Sequence, residues 1–203
     1  LLTEPDLLAP ARGDLGTIQD AYLAATADGA CGCCGMRAFV DSSDRVYALY
    51  RTAGGGSRDM HVLFAPPGGR TFIARTVNRW PIEACPMSSS GFAETKASVL
   101  LGTERSGKLL INSFDPKSAR LTRALELSLG TRAKHPSLAV NAKGEVLVAW
   151  LEGAGFNTGG TLHYQTFEAD GHGGSAVKRV GKVPKFSLGT AFTNAAGGFE
   201  ILY

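Results

Sequence analysis

Val146-Leu147-Val148-Ala149-Trp150-Leu151 is apolar at every position. A strand with one wet face would alternate apolar and polar residues, so a run without alternation reads as a strand covered on both faces. Similar runs recur along the chain: Val46-Tyr47-Ala48-Leu49-Tyr50, Ser98-Val99-Leu100-Leu101-Gly102, Val146-Leu147-Val148-Ala149-Trp150 and Phe199-Glu200-Ile201-Leu202-Tyr203. In that order their first residues lie 52, 48 and 53 positions apart. A strand-rich repeat of roughly 40–50 residues reads as a β-propeller blade. A blade is sandwiched between two others, which accounts for the doubly covered strand. Parallel α/β sheets also bury both faces, but they need long amphipathic helices between strands, and the sequence offers none.

The expected fold class is therefore all-β, a β-propeller of four-stranded antiparallel blades with about three and a half blades in the chain. Residues 1–30 read as an extended lead-in and 31–203 as propeller, with blades at about 34–79, 86–128 and 135–183 and a partial blade at 187–203. In blade one the predicted strands are Met36 to Val40, Val46 to Arg51, Met60 to Phe64 and Thr71 to Val77. Blade two has Gly91 to Ala93, Ala97 to Leu101, Lys108 to Phe114 and Arg123 to Leu127. Blade three has His135 to Val140, Glu145 to Leu151, Thr161 to Phe167 and Ala176 to Val180. The partial blade has Leu188 to Thr193 and Gly198 to Tyr203. The first turn of each blade is rich in turn formers: Asp41-Ser42-Ser43-Asp44, Thr95-Lys96, Asn141-Ala142-Lys143-Gly144 and Asn194-Ala195-Ala196-Gly197. Thr17 to Ala27 fits an outer strand or irregular structure, with a helix-capping pattern from Thr17 to Asp20 as the alternative. The chain opens on Leu1 and closes on Tyr203 within a strand run, so the expectation is part of a larger ring. A four-bladed ring completed by residues 1–30 is the other arrangement.

Hydrophobic residues at 44% and charged residues at 19% give an ordinary globular balance. A net charge of +3 argues against a nucleic-acid partner, which leaves a concentrated basic stripe. Arg120, Arg123, Arg132 and Lys134, and likewise Lys178, Arg179, Lys182 and Lys185, read as solvated blade edges. No apolar run reaches the roughly 18–20 residues of a membrane span, so no transmembrane segment is expected. No phosphate loop or nucleophile elbow is present, and no cofactor is expected.

The sharpest local feature is Cys31-Gly32-Cys33-Cys34, with Cys85 51 residues after Cys34. A disulfide framework, which would imply an oxidising compartment, is one reading, and four cysteines allow three pairings. A bridge from Cys85 to the cluster would staple blade one to blade two. A thiolate site for a soft metal or for redox chemistry is a second reading. Free thiols are a third. Haem attachment fits poorly, because Gly35 stands where the ligating His belongs. His61 and His163 read as structural or surface residues of third strands, and His135-Pro136 as packing at a strand start.

Cys31-Gly32-Cys33-Cys34, then Val46 to Arg51, then Arg58-Asp59-Met60, then Trp80 and Ala84-Cys85-Pro86 occur in that order. This pattern resembles bacterial exported propellers labelled sialidase-like or Asp-box repeat proteins. The resemblance covers residues 30 to 90 well and later repeats loosely. It implies a longer, six-bladed propeller with a polar, often His-containing segment after Cys-Pro, where this chain has Met87-Ser88-Ser89-Ser90. The Asp-box, a turn between third and fourth strands, has degenerate counterparts at Ala65 to Phe72, Ser113 to Asp115 and Glu168 to Gly171.

The same resemblance implies what an active member would need: three arginines on a substrate carboxylate, a Tyr nucleophile with a Glu, and an acidic proton donor. Arg37, Arg51, Arg58, Arg75 and Arg79 are available, none in a catalytic motif. Arg58 and Asp59 are the candidate catalytic pair. As neighbours in an extended segment they face opposite sides, and an ion pair to the adjacent blade is the competing role. Glu200 and Tyr203, three apart on a strand, also face opposite ways. The main reading is thus a non-catalytic extracytoplasmic propeller, periplasmic or secreted, that binds a protein partner as a scaffold subunit of a membrane-associated assembly. The alternative is a sialidase-like glycoside hydrolase acting on carbohydrate, with catalytic residues partly outside this chain.

Overall fold

A computed structural model describes residues 29–203, apart from residues 70, 128–131, 156, 170 and 172. The lead-in expected over 1–30 and the segment from Thr17 to Ala27 thus lie almost wholly outside the described residues. Ala30 makes a bridge with Thr52.

The described chain is a partial β-propeller. Blade one consists of β1 (Arg37–Val40), β2 (Val46–Arg51), β3 (Met60–Ala65) and β4 (Ile73–Asn78). Blade two is β5 (Gly91–Glu94), β6 (Val99–Arg105), β7 (Lys108–Asp115) and β8 (Arg120–Leu127). Blade three is β9 (Ala133–Val140), β10 (Val146–Glu152), β11 (Gly160–Phe167) and β12 (Lys178–Val183). β13 (Thr190–Thr193) and β14 (Phe199–Leu202) pair as a two-stranded sheet. The first three sheets are antiparallel, with strands in sequence order. β1 packs on β5, β5 on β9 and β9 on β13, so the first strand of each blade is the innermost.

The turn after each innermost strand is closed by one side chain that accepts two backbone N–H groups. Asp41 Oδ1 accepts from Ser43 and Arg45 at 2.9 and 3.0 Å. Thr95 Oγ1 accepts from Ala97 and Ser98, Asn141 Oδ1 from Lys143 and Glu145, and Asn194 Oδ1 from Ala196 and Gly198. Short oxygen-bearing side chains close such turns because they reach their own backbone. In blade one Asp41 does more. Its Oδ2 accepts from Arg45 Nε at 2.7 Å and from the buried Tyr47 hydroxyl at 2.8 Å.

The second strands divide their side chains between two interfaces, which is why they show no alternation. Val146, Val148 and Trp150 of β10 join Leu100, Leu109 and Ile111 of blade two. Leu147, Ala149 and Leu151 turn the other way and pack with Ala191 of β13. In β6, Val99 and Leu101 pack against Tyr47, Leu49 and Phe64 of blade one. Trp150, Tyr47 and Phe114 are fully buried. The innermost strands approach closely at Gly91, where a Cβ would lie 2.9 Å from the Pro136 carbonyl oxygen.

Each complete blade carries the same irregularity. The pairing of third and fourth strands shifts between Met60 and His61, between Ile111 and Asn112, and between Leu162 and His163. The extra residue stands on the outer strand, at Val77, Ala124 and Val180. The expected strand limits needed small corrections. β6 continues through Gly102 to Arg105, because Leu138 fills the space beside that glycine. β8 begins at Arg120, since Asp115 tightens the preceding turn by accepting from Lys117 N–H and the Ser118 hydroxyl. β12 lies at Lys178–Val183, later than the expected Ala176 to Val180. No helix among the described residues is long and apolar enough to cross a membrane.

Candidate functional site

The segments that enter the innermost strands meet at one end of the blades. The cysteine turn precedes β1 and is fixed to the end of β2 by a Cys31 N–H to Arg51 carbonyl bond of 2.7 Å. Cys85 to Ser90 precedes β5, and Lys134-His135 lies in the first residues of β9. Cys33 and Cys85 form a disulfide that staples the approach to blade one to the approach to blade two. Cys31 and Cys34 are buried free thiols. Burial pushes the Cys34 thiol up.

Beside this cluster lie two buried charged groups from neighbouring blades. Arg51 ends β2 and is 2% exposed. It donates from Nη1 to the Arg58 carbonyl at 2.9 Å and from Nη2 to the Glu104 carbonyl at 2.8 Å, and lies 5.1 Å from the Trp80 ring centroid. Burial pulls its pKa down, with Cys34, Glu104 and Cys31 opposing. Glu104 in β6 is also 2% exposed. Burial raises its carboxyl, opposed by the Gly107 N–H and by the Arg51 and Lys134 cations. Lys134 Nζ donates to the Pro86 carbonyl at 2.7 Å.

His135 occupies a slip in the β9–β10 ladder, between Ala149 and Leu151. Pro136 has no N–H to give that ladder. His135 adopts φ 55°, and Met87 opposite adopts φ 47°; such left-handed positions in non-glycine residues gather at functional sites. Ser89 donates its backbone N–H to His135 Nδ1 at 3.1 Å, and the Ser89 hydroxyl lies at the same distance. The His135 N–H donates to Ser88 Oγ at 3.1 Å. With Nδ1 accepting from a backbone N–H, the neutral ring carries its proton on Nε2. Burial, then the Lys134 and Arg37 cations, push this imidazole down to about 4.

His135 lines a pocket of about 230 Å³ walled by the innermost strands of all four sheets, with Arg37, Phe39, Ser89, Ser90 and Leu188 around it. It also lines an adjoining pocket of about 320 Å³ that includes Cys33, Met87, Thr158 and Phe186. A guanidinium, hydroxyls, an imidazole and apolar walls can orient a small polar or anionic ligand. Among the described residues no carboxylate lines either pocket.

Arg58 and Asp59 lie just before β3 and do not meet this pocket. Arg58 donates to the Ser57 and Glu83 carbonyls, and Asp59 Oδ1 accepts the Trp80 N–H at 2.7 Å. The expected ion pair to the next blade is replaced by these contacts, because the preceding loop folds back on the segment from Trp80 to Glu83. His61 stacks on Tyr50 and His163 on Trp150, at matching places in their blades. Glu200 accepts from Asn194, and Tyr203 is exposed. The segments compared with the Asp-box lie in or lead into the turns between third and fourth strands. The axial Ser88, Ser89 and Glu104 were not singled out in sequence. The two serines had one signal, a positional one, since Met87 to Ser90 stands where the resemblance implied a polar segment, and Glu104 had none.

No protein-family model matches the chain, and no curated protein sequence does. Solved structures do. An α-L-arabinofuranosidase of Fusarium graminearum in complex with an iminosugar inhibitor is 12% identical, covered over 77% of this chain and 50% of that one, with a TM-score of 0.46. The Fusarium graminearum α-L-arabinofuranosidase with arabinobiose is 12% identical over 82% and 54%, at 0.48. A Penicillium chrysogenum α-L-arabinanase with arabinobiose is 14% identical over 82% and 57%, at 0.47. The chain spans about half the length of these structures.

Proposed function

We propose that this chain is the ligand-holding part of a carbohydrate-directed propeller of the glycoside hydrolase type, acting outside the cytoplasm, with its catalytic carboxylates supplied from beyond these residues. The observation that carries this reading is the axial pocket, where Arg37, Ser89, Ser90 and His135 converge from separate blades. Its volume of about 230 Å³ lies below the roughly 300–1,000 Å³ typical of sites for drug-sized ligands, and suits one sugar ring. Arg37 would hold an anionic substituent, as the sialidase-like resemblance implies. The neutral His135 and the serine hydroxyls would hydrogen-bond ring hydroxyls.

A second reading, a non-catalytic scaffold that docks a protein partner, is favoured by the lack of a carboxylate at the pocket among the described residues. One experiment separates the two. Purified full-length protein is offered fluorogenic sialosides and arabinofuranosides, and binding of the free sugars is followed by calorimetry. Turnover abolished by Arg37→Ala supports the enzyme. Sugar binding without turnover leaves a lectin-like binder, and neither outcome for any sugar defeats the carbohydrate reading.

A further inference from the structure

The sulfur atoms of Cys31, Cys33, Cys34 and Cys85 all lie within 4.8 Å of one another, although they come from two segments that enter different blades. Cys31 Sγ is 3.3 Å from Cys33 Sγ, 3.4 Å from Cys34 Sγ and 3.6 Å from Cys85 Sγ, and Cys34 Sγ is 4.0 Å from Cys85 Sγ. A tetrahedral ion with metal–sulfur bonds of about 2.3 Å places its sulfurs about 3.8 Å apart. These four separations bracket that spacing. One disulfide uses only two of the four sulfurs and leaves two buried thiols against it. The Cα atoms of Cys33 and Cys85 are 7.4 Å apart, wider than the roughly 4.4–6.8 Å usual for a bridge. A central ion would need no such approach of the two backbones.

A second observation points the same way. Arg51, 2% exposed, has no hydrogen-bond partner at Nε, and its backbone carbonyl accepts the Cys31 N–H at 2.7 Å beside the cluster. A divalent ion with four thiolates carries two negative charges, and a buried guanidinium at its flank offsets part of that charge. Metal sites commonly depend on such outer partners.

We propose that Cys31, Cys33, Cys34 and Cys85 form a reducible four-thiolate site for one thiophilic d10 cation, zinc or copper(I), which excludes the Cys33–Cys85 disulfide when bound. The interconversion balances with a dithiol as reductant. The dithiol gives two electrons and two protons to the Cys33–Cys85 bond and becomes a disulfide itself, leaving four protein thiols. A zinc ion then replaces the four thiol protons, which pass to solvent. The site stands apart from the sugar-binding reading, although Cys33 also lines the pocket beside His135.

The test uses the full chain reduced with a phosphine, freed of reductant without air, and titrated separately with zinc and with copper(I) under native mass spectrometry. The expected result is one ion per reduced chain for at least one metal and none for the oxidised chain. Cobalt(II) in the same site should give the intense visible bands of a tetrahedral thiolate complex. Cys34→Ser should weaken binding by at least about 100-fold, beyond the roughly 10–100-fold typical of an outer partner. Should that variant misfold by circular dichroism, the wild-type chain still decides the matter. With the ion bound, all four cysteines should resist alkylation that modifies them in the ion-free reduced chain. Failure of the reduced chain to take up either metal, or alkylation at unchanged rates in their presence, overturns the proposal.

Discussion

Replacing Asp41 by Asn isolates one half of a side chain. Asn141 and Asn194 close the equivalent turns of other blades, so the carboxamide in Asp41→Asn can still accept from the Ser43 and Arg45 N–H groups through Oδ1. Its NH2 cannot replace Oδ2, which accepts from Arg45 Nε and Tyr47 OH. Arg45 is 21% exposed at its side chain and can turn to water, so its loss costs about 0–1 kcal/mol. Tyr47 is 0% exposed and cannot, and a stranded buried hydroxyl costs about 1–3 kcal/mol. Asp41→Asn should therefore destabilise by about 1–4 kcal/mol, a Tm drop of about 2–16 °C for a chain of this size. Urea unfolding followed by tryptophan fluorescence measures it. In a Tyr47→Phe background the same change should cost about 1 kcal/mol or less. The pH dependence has a definite sign. Burial raises the Asp41 carboxyl, but the hydrogen bonds from Arg45, Tyr47 and Ser43 outweigh it and hold the group below its ordinary value. Its contribution is therefore complete above about pH 4 and is lost as pH falls through the lowered value, so the two proteins should converge in acid. Equal stability at pH 7, or an undiminished cost in the Tyr47→Phe background, would refute the assignment of Oδ2 to Tyr47.

The His135 imidazole, held down to about 4 by burial and by Lys134 and Arg37, stays neutral in the fold while the unfolded chain protonates near 6.5. Stability should fall as pH drops from about 6.5 to 4, and His135→Gln should flatten that slope, with NMR titration of the ring as the check. Gly91→Ala drives a Cβ against the Pro136 carbonyl and should cost about 1–3 kcal/mol in denaturant unfolding, whereas Gly181→Ala meets nothing within 4 Å and should stay within about 0.5 kcal/mol. Trp150→Ala, at a fully buried interface position, should cost about 3–5 kcal/mol by the same assay.

The blades were legible because their physics is local. An apolar run such as Val146 to Leu151 and a turn residue such as Asn141 each mark their place within a few residues. β2 and the start of β3 fell where expected, and errors collected at strand ends such as Arg105 and Lys178, where tertiary packing decides how far pairing extends. The axial site was not legible in the same way. Arg37, Ser89 and His135 lie in three blades, and serine in a loop carries no distinctive pattern. Glu104 ends an apolar strand and looks like a surface cap until blade one brings Arg51 onto it. The Cys33–Cys85 staple was anticipated as a link between the cluster and Cys85. The choice of Cys33 depended on where the turn pointed each sulfur.

The slip shared by the outer strands, at Val77, Ala124 and Val180, bears on how these blades coexist with other chains. A fourth strand presents unpaired N–H and carbonyl groups along a blade's rim, a template for a foreign strand. One extra residue bends that rim and breaks its regular spacing. An incoming straight strand could match the rim on one side of the slip, then fall out of phase beyond it. The repeat thus places the same obstacle to fibre growth on every complete blade, without a charged residue at any of the three slip positions.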